Sequence, residues 1–297
     1  MSDIVPFDKR DGFIWYNGEF VEWSDAKVHV LNHGLHYASC VFEGERIYSG
    51  VIFKSLTHSK RLEFSANMLG FDLPYSIDEI ELAKNKLVKM QKIDDGYMRV
   101  FAWRGSEKMA ISAQNNKIHL AIACWKWPPY YSQEAREAGL KLKFARYKRP
   151  SPDTAPVAAK AAGLYMICTI SKHEVESQGY NDALMLDYRG YLAEATGANL
   201  FLVMKNNELH TPLADCFLNG ITRQTVIDIA KSNNIKVIER HIMKEELADA
   251  KDAFLTGSAA EITRIGSIDD KFFYPSISDI TKKLMQDYTN LVRNWKN

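Results

Sequence analysis

Residues 182–212 read DALMLDYRGYLAEATGANLFLVMKNNELHTP. Three short apolar runs are separated by turn signals at Arg189-Gly190, Thr196-Gly197 and Asn206-Asn207, the pattern of an antiparallel meander. The flanks are of another kind. Upstream, residues 158–179 (AAKAAGLYMICTISKHEVESQG) carry a long helical pattern closing at Gly179, preceded by a strand and Pro-rich loop over 140–156. Downstream come a helix in ITRQTVIDIAKSNN (221–234), a strand in IKVIERHI, a short helix in KEELADA, a strand in DAFLTG and a C-terminal helix over 279–295. Toward the N-terminus, FIWYNGEFVEW (13–23) is a hairpin around Asn17-Gly18. Helices follow over 57–70 and 76–91, the second with Ile77, Ile80, Leu82, Ala83, Leu87 and Met90 as core candidates. Two strands come next, GYMRVFAWRG and KIHLAIACWKW. Without a strict βαβ repeat, the class is α+β or mixed α/β.

At 297 residues the chain has length for two domains. Pro128-Pro129-Tyr130-Tyr131 suits neither helix nor central strand, which sets a small domain at 1–126, a linker at 127–135 and a larger domain at 136–297. With 38 Lys+Arg against 37 Asp+Glu the formal charge is +1, so no global field draws the protein to nucleic acid or an anionic membrane. A 46% hydrophobic content suits a soluble globular protein, and no apolar run reaches the length of a membrane helix. The opening MSDIVPFDKRDGF lacks a signal-peptide pattern, and four widely spaced cysteines without a CxxC pair point to reduced thiols. Together these features describe a cytoplasmic two-domain enzyme without a structural metal.

Several positions can carry chemistry, each beside a plainer reading. Lys160 is the single charge in APVAAKAAGLYMICTI. Such surroundings favour a free amine able to condense with a carbonyl, or a lysine snorkelling from an Ala-rich helix. Glu194, before the Thr196-Gly197 turn, is either a carboxylate for a cofactor's pyridine nitrogen or a turn-capping acid. Asn219-Gly220 precedes a helix whose first turn holds Ile221 and Thr222, a ready phosphate site or an ordinary cap. Thr256-Gly257-Ser258-Ala259-Ala260 can offer two amides and a hydroxyl to an anion. Arg61 is a bidentate donor for phosphate or a solvated helix residue. Tyr97 and Arg99, two apart on a strand, share a face and suit a substrate carboxylate or an edge salt bridge. His29, His33 and His36 would suit a metal only if helical, which Gly34 and the alternating VHVL argue against; no HExxH acid is present. The basic stretch Arg136, Lys141, Lys143, Arg146, Lys148 and Arg149, with Phe144 and Tyr147, reads as a strand with a solvated face, its rival being a nucleic-acid contact in a cofactor-free binding protein.

An amine nucleophile, a pyridine partner, a phosphate cup and carboxylate donors ask for one cofactor. The stretches WYNGEFVEWSDAKVHVLNHGLHYASCVFEGERIY, GYMRVFAW, PVAAKAAGLY, GYLAEATGANLF, NGITRQTVIDIA and TGSAAEIT span most of the chain, from about Trp15 to Gly266. In this order they resemble the class IV pyridoxal-phosphate aminotransferases, most of all the branched-chain amino acid aminotransferases. The resemblance implies a two-domain, fold type IV enzyme like D-amino acid aminotransferase, forming homodimers or larger homo-oligomers in which the segment around Met109 and Ile111 reaches the partner's site. It implies pyridoxal 5'-phosphate as cofactor and transfer of the amino group of leucine, isoleucine or valine to 2-oxoglutarate. By the same resemblance Lys160 is the cofactor-linked lysine and proton carrier, and Glu194 pairs with the pyridine nitrogen. Arg61, Ile221, Thr222, Gly257 and Ser258 hold the phosphate, and Tyr165 lies beside the phenolic oxygen. Tyr97 with Ser258 and Ala259 takes the α-carboxylate, Arg99 helps admit the side-chain carboxylate of glutamate, and Tyr37, Phe42, Trp127 and Tyr130 wall the side-chain pocket.

Departures from the family pattern stand at Asn219 and Val100, where proline is frequent, at Ala198, where Glu is common, and at Gly44-Glu45-Arg46 in place of GIR. Glu45 is expected to alter the charge near the pocket mouth. Neighbouring activities of the same fold are D-amino acid and (R)-amine transamination and 4-amino-4-deoxychorismate cleavage.

Overall fold

The structure, a computed structural model, describes residues 5–128 and 130–296, so residues 1–4 of the N-terminal reading and Pro129 of the expected linker lie outside it. The chain divides into two compact units. The first comprises Met1–Pro128, Ala159–Gly163 and Trp295–Asn297; the second comprises Pro129–Ala158 and Leu164–Asn294. A division linear along the chain, with everything past the linker in one domain, therefore misses the return of Ala159–Gly163 to the first unit.

In the first unit β1 (Phe13–Tyr16) and β2 (Glu19–Glu22) form the expected hairpin, with Asn17 and Gly18 at φ 51° and 99° supplying the two left-handed residues of its turn. They are followed by α1 (His33–Tyr37), β3 (Cys40–Tyr48), β4 (Val51–Ile52), α2 (Ser55–Met68), α3 (Ile77–Met90), β5 (Gly96–Arg104) and β6 (Ile118–Lys126). The six strands pair antiparallel in the order β2-β1-β6-β5-β3-β4. Leu62 and Ala66 of α2 and Ile80, Ala83, Leu87 and Val88 of α3 bury against Val41, Ile47, Met98, Val100 and Ile122 of the sheet. Each fully buried Leu or Ile of this kind contributes about 1.5–3 kcal/mol.

Two expectations change here. Helix α3 starts at Ser76 with a complete capping box to Glu79, but Leu82 is exposed while Lys84 is fully buried, because Lys84 meets carboxylates rather than solvent. The segment HGLHY is helical after all. One turn is too short for periodicity to reveal, and it is held by a hydrogen bond from His33 N to Gly105 O and by the His33 ring against Tyr37 four residues on. The three histidines do not converge: His33 Nε2 meets Ala110 O, His36 Nε2 meets Val30 O, and His29 Nδ1 accepts from Leu31 N.

The second unit holds α4 (Gln133–Ala138), β7 (Leu140–Phe144), α5 (Met166–Glu176), β8 (Asp182–Leu186), β9 (Leu192–Ala195), β10 (Asn199–Met204), β11 (Leu209–Pro212), α6 (Ile221–Ser232), β12 (Val237–Arg240), β13 (Ala250–Gly257), β14 (Glu261–Ile268), β15 (Phe272–Phe273) and α7 (Asp279–Arg293). The meander is present as four strands, β8 to β11, joined at the three turn signals. Strand pairing runs β10-β13-β14-β7-β8-β9 and returns to β10 through Asn199 opposite Glu194, closing a ring. Its core is Leu140, Leu142, Leu184, Leu192, Leu200, Leu202, Leu255 and Ile265.

The long helix expected from Ala158 is shorter. A 3-10 turn covers Ala162–Tyr165 and α5 begins at Met166, leaving Lys160 extended. Tertiary hydrogen bonds override the Ala-rich propensity there: Lys160 N donates to Ser65 Oγ at 3.0 Å, Phe42 N donates to Lys160 O at 3.1 Å, and Ala161 bridges Val41. No described helix is long and apolar enough to cross a membrane.

Candidate active site

Strand β3 sorts its residues by face, because successive side chains point to opposite sides of a sheet. On one face lies Phe42. The Arg99 guanidinium sits 4.6 Å from the Phe42 ring centroid, and Lys160 Nζ sits 4.8 Å from the same centroid. Arg99 is also 5.6 Å from the Tyr97 ring, which packs 5.2 Å from Trp127. Gly44 is what admits Tyr97: a Cβ at this position would stand 1.8 Å from the tyrosine hydroxyl. The Trp127 indole nitrogen is buried without a hydrogen-bond partner among the described residues, and Tyr37 is half exposed. Lys160, Phe42, Tyr97, Arg99 and Trp127 are thus one constellation, a lysine amine beside an aromatic wall and a guanidinium.

The opposite face of β3 carries two fully buried carboxylates, Glu43 and Glu45. Glu43 pairs with Arg61 of α2 through two nitrogens, each at 2.7 Å, and with His58 Nδ1 at 2.6 Å. Burial works against the Glu43 charge, but Arg61 and then His58 hold its carboxyl well below the usual range, and burial drives His58 down to about 4. A neutral His58 therefore donates its Nδ1–H to an ionised Glu43. Glu45 lies 2.8 Å from Lys84, which also binds Glu81 and Ser59. It is buried beneath the helices, not at a pocket mouth as its place in the sequence suggested, and burial pushes its carboxyl up to about 7 against the pull of Lys84.

The sign of that shift fixes a test. Between about 4.5 and 7 the folded protein keeps a proton on Glu45 that the unfolded chain has released, so this contribution is full below the unfolded value and is lost as pH rises through 7. Glu45→Gln removes the titration and keeps the shape. Its unfolding free energy, read from urea titrations, is expected to gain on the parent from pH 5 to pH 7 by roughly 1 kcal/mol per pH unit, with His58, Glu43, Arg61, Lys84 and Glu81 present in both proteins. A difference flat in pH would contradict the assignment.

In the second unit Glu194 stands on β9, 8% exposed. Asn199 Nδ2 donates to its Oε2 at 3.1 Å, and Arg149 Nε lies 3.4 Å from Oε1. Arg149 was expected on a solvated strand face; it is buried, and although burial disfavours its charge, Glu194, Cys168 and Tyr165 raise its pKa. Asn199 ties three features together. The same Nδ2 donates to Leu218 O at 2.9 Å, two residues before the Gly220 cap of α6, and Asn199 stands opposite Thr256 across β10 and β13. Helix α6 starts without a side-chain cap, with Ile221 and Thr222 buried at its first turn. The β13–β14 hairpin closes over Ser258, Ala259 and Ala260, with Glu261 left-handed at φ 53°. Thr256 Oγ1 beneath it is buried with no hydrogen-bond partner among the described residues. Tyr165 is the residue before α5, and Tyr130 packs on Tyr131 with Lys172 Nζ 5.2 Å from its ring.

Taken unit by unit, these donors suit the parts of a phosphorylated pyridine aldehyde: in the second unit an uncapped helix start with a hydroxyl suits a phosphate and a buried carboxylate suits a ring nitrogen, and in the first a lysine amine suits a carbonyl. The amino-transferase class IV family model matches residues 40–268. The chain belongs to the class IV aminotransferases. This class IV chain is 42% identical over 292 residues to a probable branched-chain-amino-acid aminotransferase of Rickettsia conorii, covering 98% of this chain and 99% of that protein. The branched-chain amino acid aminotransferase of Escherichia coli has a similar structure, with TM-score 0.91, 35% identity and 95% of each chain covered. An aminotransferase from Brucella abortus bound to the cofactor PLP is similar too, with TM-score 0.84 and 27% identity over 95% of this chain and 99% of that one. The fold is accordingly the two-domain type IV fold that the sequence implied.

Relative to the family pattern, Val100 is a buried core residue of β5 and Ala198 is buried in the turn between β9 and β10. Asn219 accepts from Arg223 at 2.9 Å, a contact a proline could not make. Arg149 and Asn199 are the residues that sequence reasoning missed. Arg149 was masked by its basic neighbours, while Asn199, five residues after Glu194 across a tight turn, carried a usable signal.

Proposed function

We propose that this class IV aminotransferase uses pyridoxal 5'-phosphate to move the amino group of L-leucine, L-isoleucine or L-valine to 2-oxoglutarate, giving the branched-chain 2-oxo acid and L-glutamate. The observation that carries the reading is the placement of the Lys160 amine and the Arg99 guanidinium on one ring, Phe42, with Tyr97 seated in the space Gly44 leaves. An apolar wall suits a branched side chain, and a guanidinium at the same wall suits the second carboxylate of glutamate.

When bound, the cofactor supplies an electron-withdrawing ring that stabilises charge at the donor's α-carbon. Lys160 would hold the cofactor by its Nζ, and the same amine, when free, would carry the proton taken from the donor's α-carbon. Glu194, fixed by Asn199 and Arg149, would pair with the pyridine nitrogen and keep it protonated. Arg61, Gly257, Ser258 and the Ile221 and Thr222 amides hold the phosphate, and Tyr165 serves the phenolic oxygen. Tyr97 with the Ser258 and Ala259 amides takes the α-carboxylate; Tyr37, Phe42, Trp127 and Tyr130 line the side-chain pocket. The second half-reaction runs the same proton path in reverse, with 2-oxoglutarate accepting the amino group.

The run of exposed apolar side chains Val28, Val30, Leu31 and Leu35, with Met109 and Ile111, supports a second copy of this chain as partner. Four free cysteines support a cytoplasmic location.

A donor panel tests the reading. With 2-oxoglutarate as acceptor, kcat/KM for L-leucine, L-isoleucine and L-valine is expected to exceed that for L-alanine by at least about tenfold, since two or three methylenes in an apolar pocket are worth that much or more. D-leucine and D-alanine are expected to be inert. Preference for a D-enantiomer would overturn the substrate assignment while leaving the cofactor assignment standing.

A further inference from the structure

Resting on the assignment of Arg61 to the cofactor phosphate, we infer that Glu43 is the positioning residue that makes Arg61 a phosphate ligand. Of the three groups in this cluster, Glu43 and His58 are almost wholly buried, and Arg61 alone, with 17% of its side chain exposed, reaches the surface. Glu43 cannot itself meet a ligand. Its Oε1 accepts from Arg61 Nε at 2.7 Å, and its Oε2 accepts from Arg61 Nη2 at 2.7 Å and from His58 Nδ1 at 2.6 Å.

A guanidinium is planar and presents its N–H groups in a fixed fork. Committing the Nε and Nη2 edge to a rigid carboxylate therefore fixes the direction of the remaining edge, at Nη1. Glu43 is itself anchored twice over. It sits in register opposite Val100 in the middle of the β3–β5 ladder, and neutral His58 presses on its second oxygen from the same helix that carries Arg61. A long arginine side chain loses much rotamer freedom when it binds an anion; here that freedom is already removed before the phosphate arrives. Lysine at 61 would carry the charge but not this orientation.

Comparing pyridoxal phosphate with pyridoxal isolates the effect, because both offer the same aldehyde and ring and only one offers a phosphate. Apo-enzyme is titrated with each, and the ratio of the two dissociation constants is read. Arg61→Met is expected to collapse the preference for the phosphorylated form. Glu43→Gln, whose amide cannot accept on both atoms, is expected to lower that preference by about tenfold while moving pyridoxal affinity less than about twofold, and to have no further effect in the Arg61→Met background. If Arg61→Met leaves the ratio intact, the phosphate assignment itself falls. If Arg61→Met collapses the ratio and Glu43→Gln leaves it unchanged, or weakens both ligands equally, Glu43 has only a structural role and the inference is overturned. Should Glu43→Gln not fold, Glu43→Asp, one methylene too short for the two-nitrogen pairing, is read in the same way and decides in the same sense.

Discussion

Lys160→Ala is expected to abolish transamination, with turnover falling on the order of 10⁴-fold, the upper range for loss of a positioned proton-transfer group. Fold should survive. Two structural contacts of this residue run through its backbone, to Ser65 Oγ and from Phe42 N, and alanine keeps both. The side chain extends over the Phe42 ring, where its removal uncovers an aromatic face without breaking a strand pairing. The variant should still bind the cofactor through phosphate and ring contacts, but its visible spectrum should be that of a free aldehyde. Stopped-flow traces with L-leucine give the check: a variant that turns over within tenfold of the parent would remove Lys160 from the reaction.

Glu194→Gln is the second large effect. The substitution keeps volume and the hydrogen bond from Asn199, and removes the negative charge that would hold a proton on the pyridine nitrogen. A drop in kcat of roughly 10²–10³-fold is expected, the scale on which one preorganised electrostatic partner acts. Stability should fall too, by about 3 kcal/mol, since Arg149 is left as a buried cation beside a neutral amide. The two losses separate experimentally. The kcat of folded variant reports the ring charge, and the urea midpoint of apo-protein reports Arg149. Arg149→Met should lower the midpoint and leave a measurable kcat, because Asn199 still orients the carboxylate; equal kcat losses in both variants would show that the intact pair matters structurally, and would contradict a separate role for the Glu194 charge.

What could be read from sequence was local chemistry. The Asn17-Gly18 hairpin, the helix over 76–91 and the meander after Asp182 follow from residue preferences that act over a few positions, and the structure contains all three. Lys160 was recognisable by its charge in an apolar run, but its conformation was not. Ala-rich flanks favour a helix, and the partners that hold it extended, Phe42 and Ser65, lie about 100 residues earlier. Leu82 and Lys84 exchanged places for the same reason: a lysine belongs in a core only where carboxylates wait, and Glu45 comes from another element. Arg149 looked like one more basic residue of a surface strand until Glu194 was set beside it. The candidate groups could therefore be named from sequence, whereas the residues that hold those groups in place became visible only through long-range pairing.

The most direct measurement of the central claim is reduction of the cofactor-loaded enzyme with sodium borohydride, followed by proteolysis and mass mapping of the fixed pyridoxyl group. The account predicts one modified peptide, carrying the group on Lys160. Recovery of the group on another lysine, or no fixation at all, would contradict it.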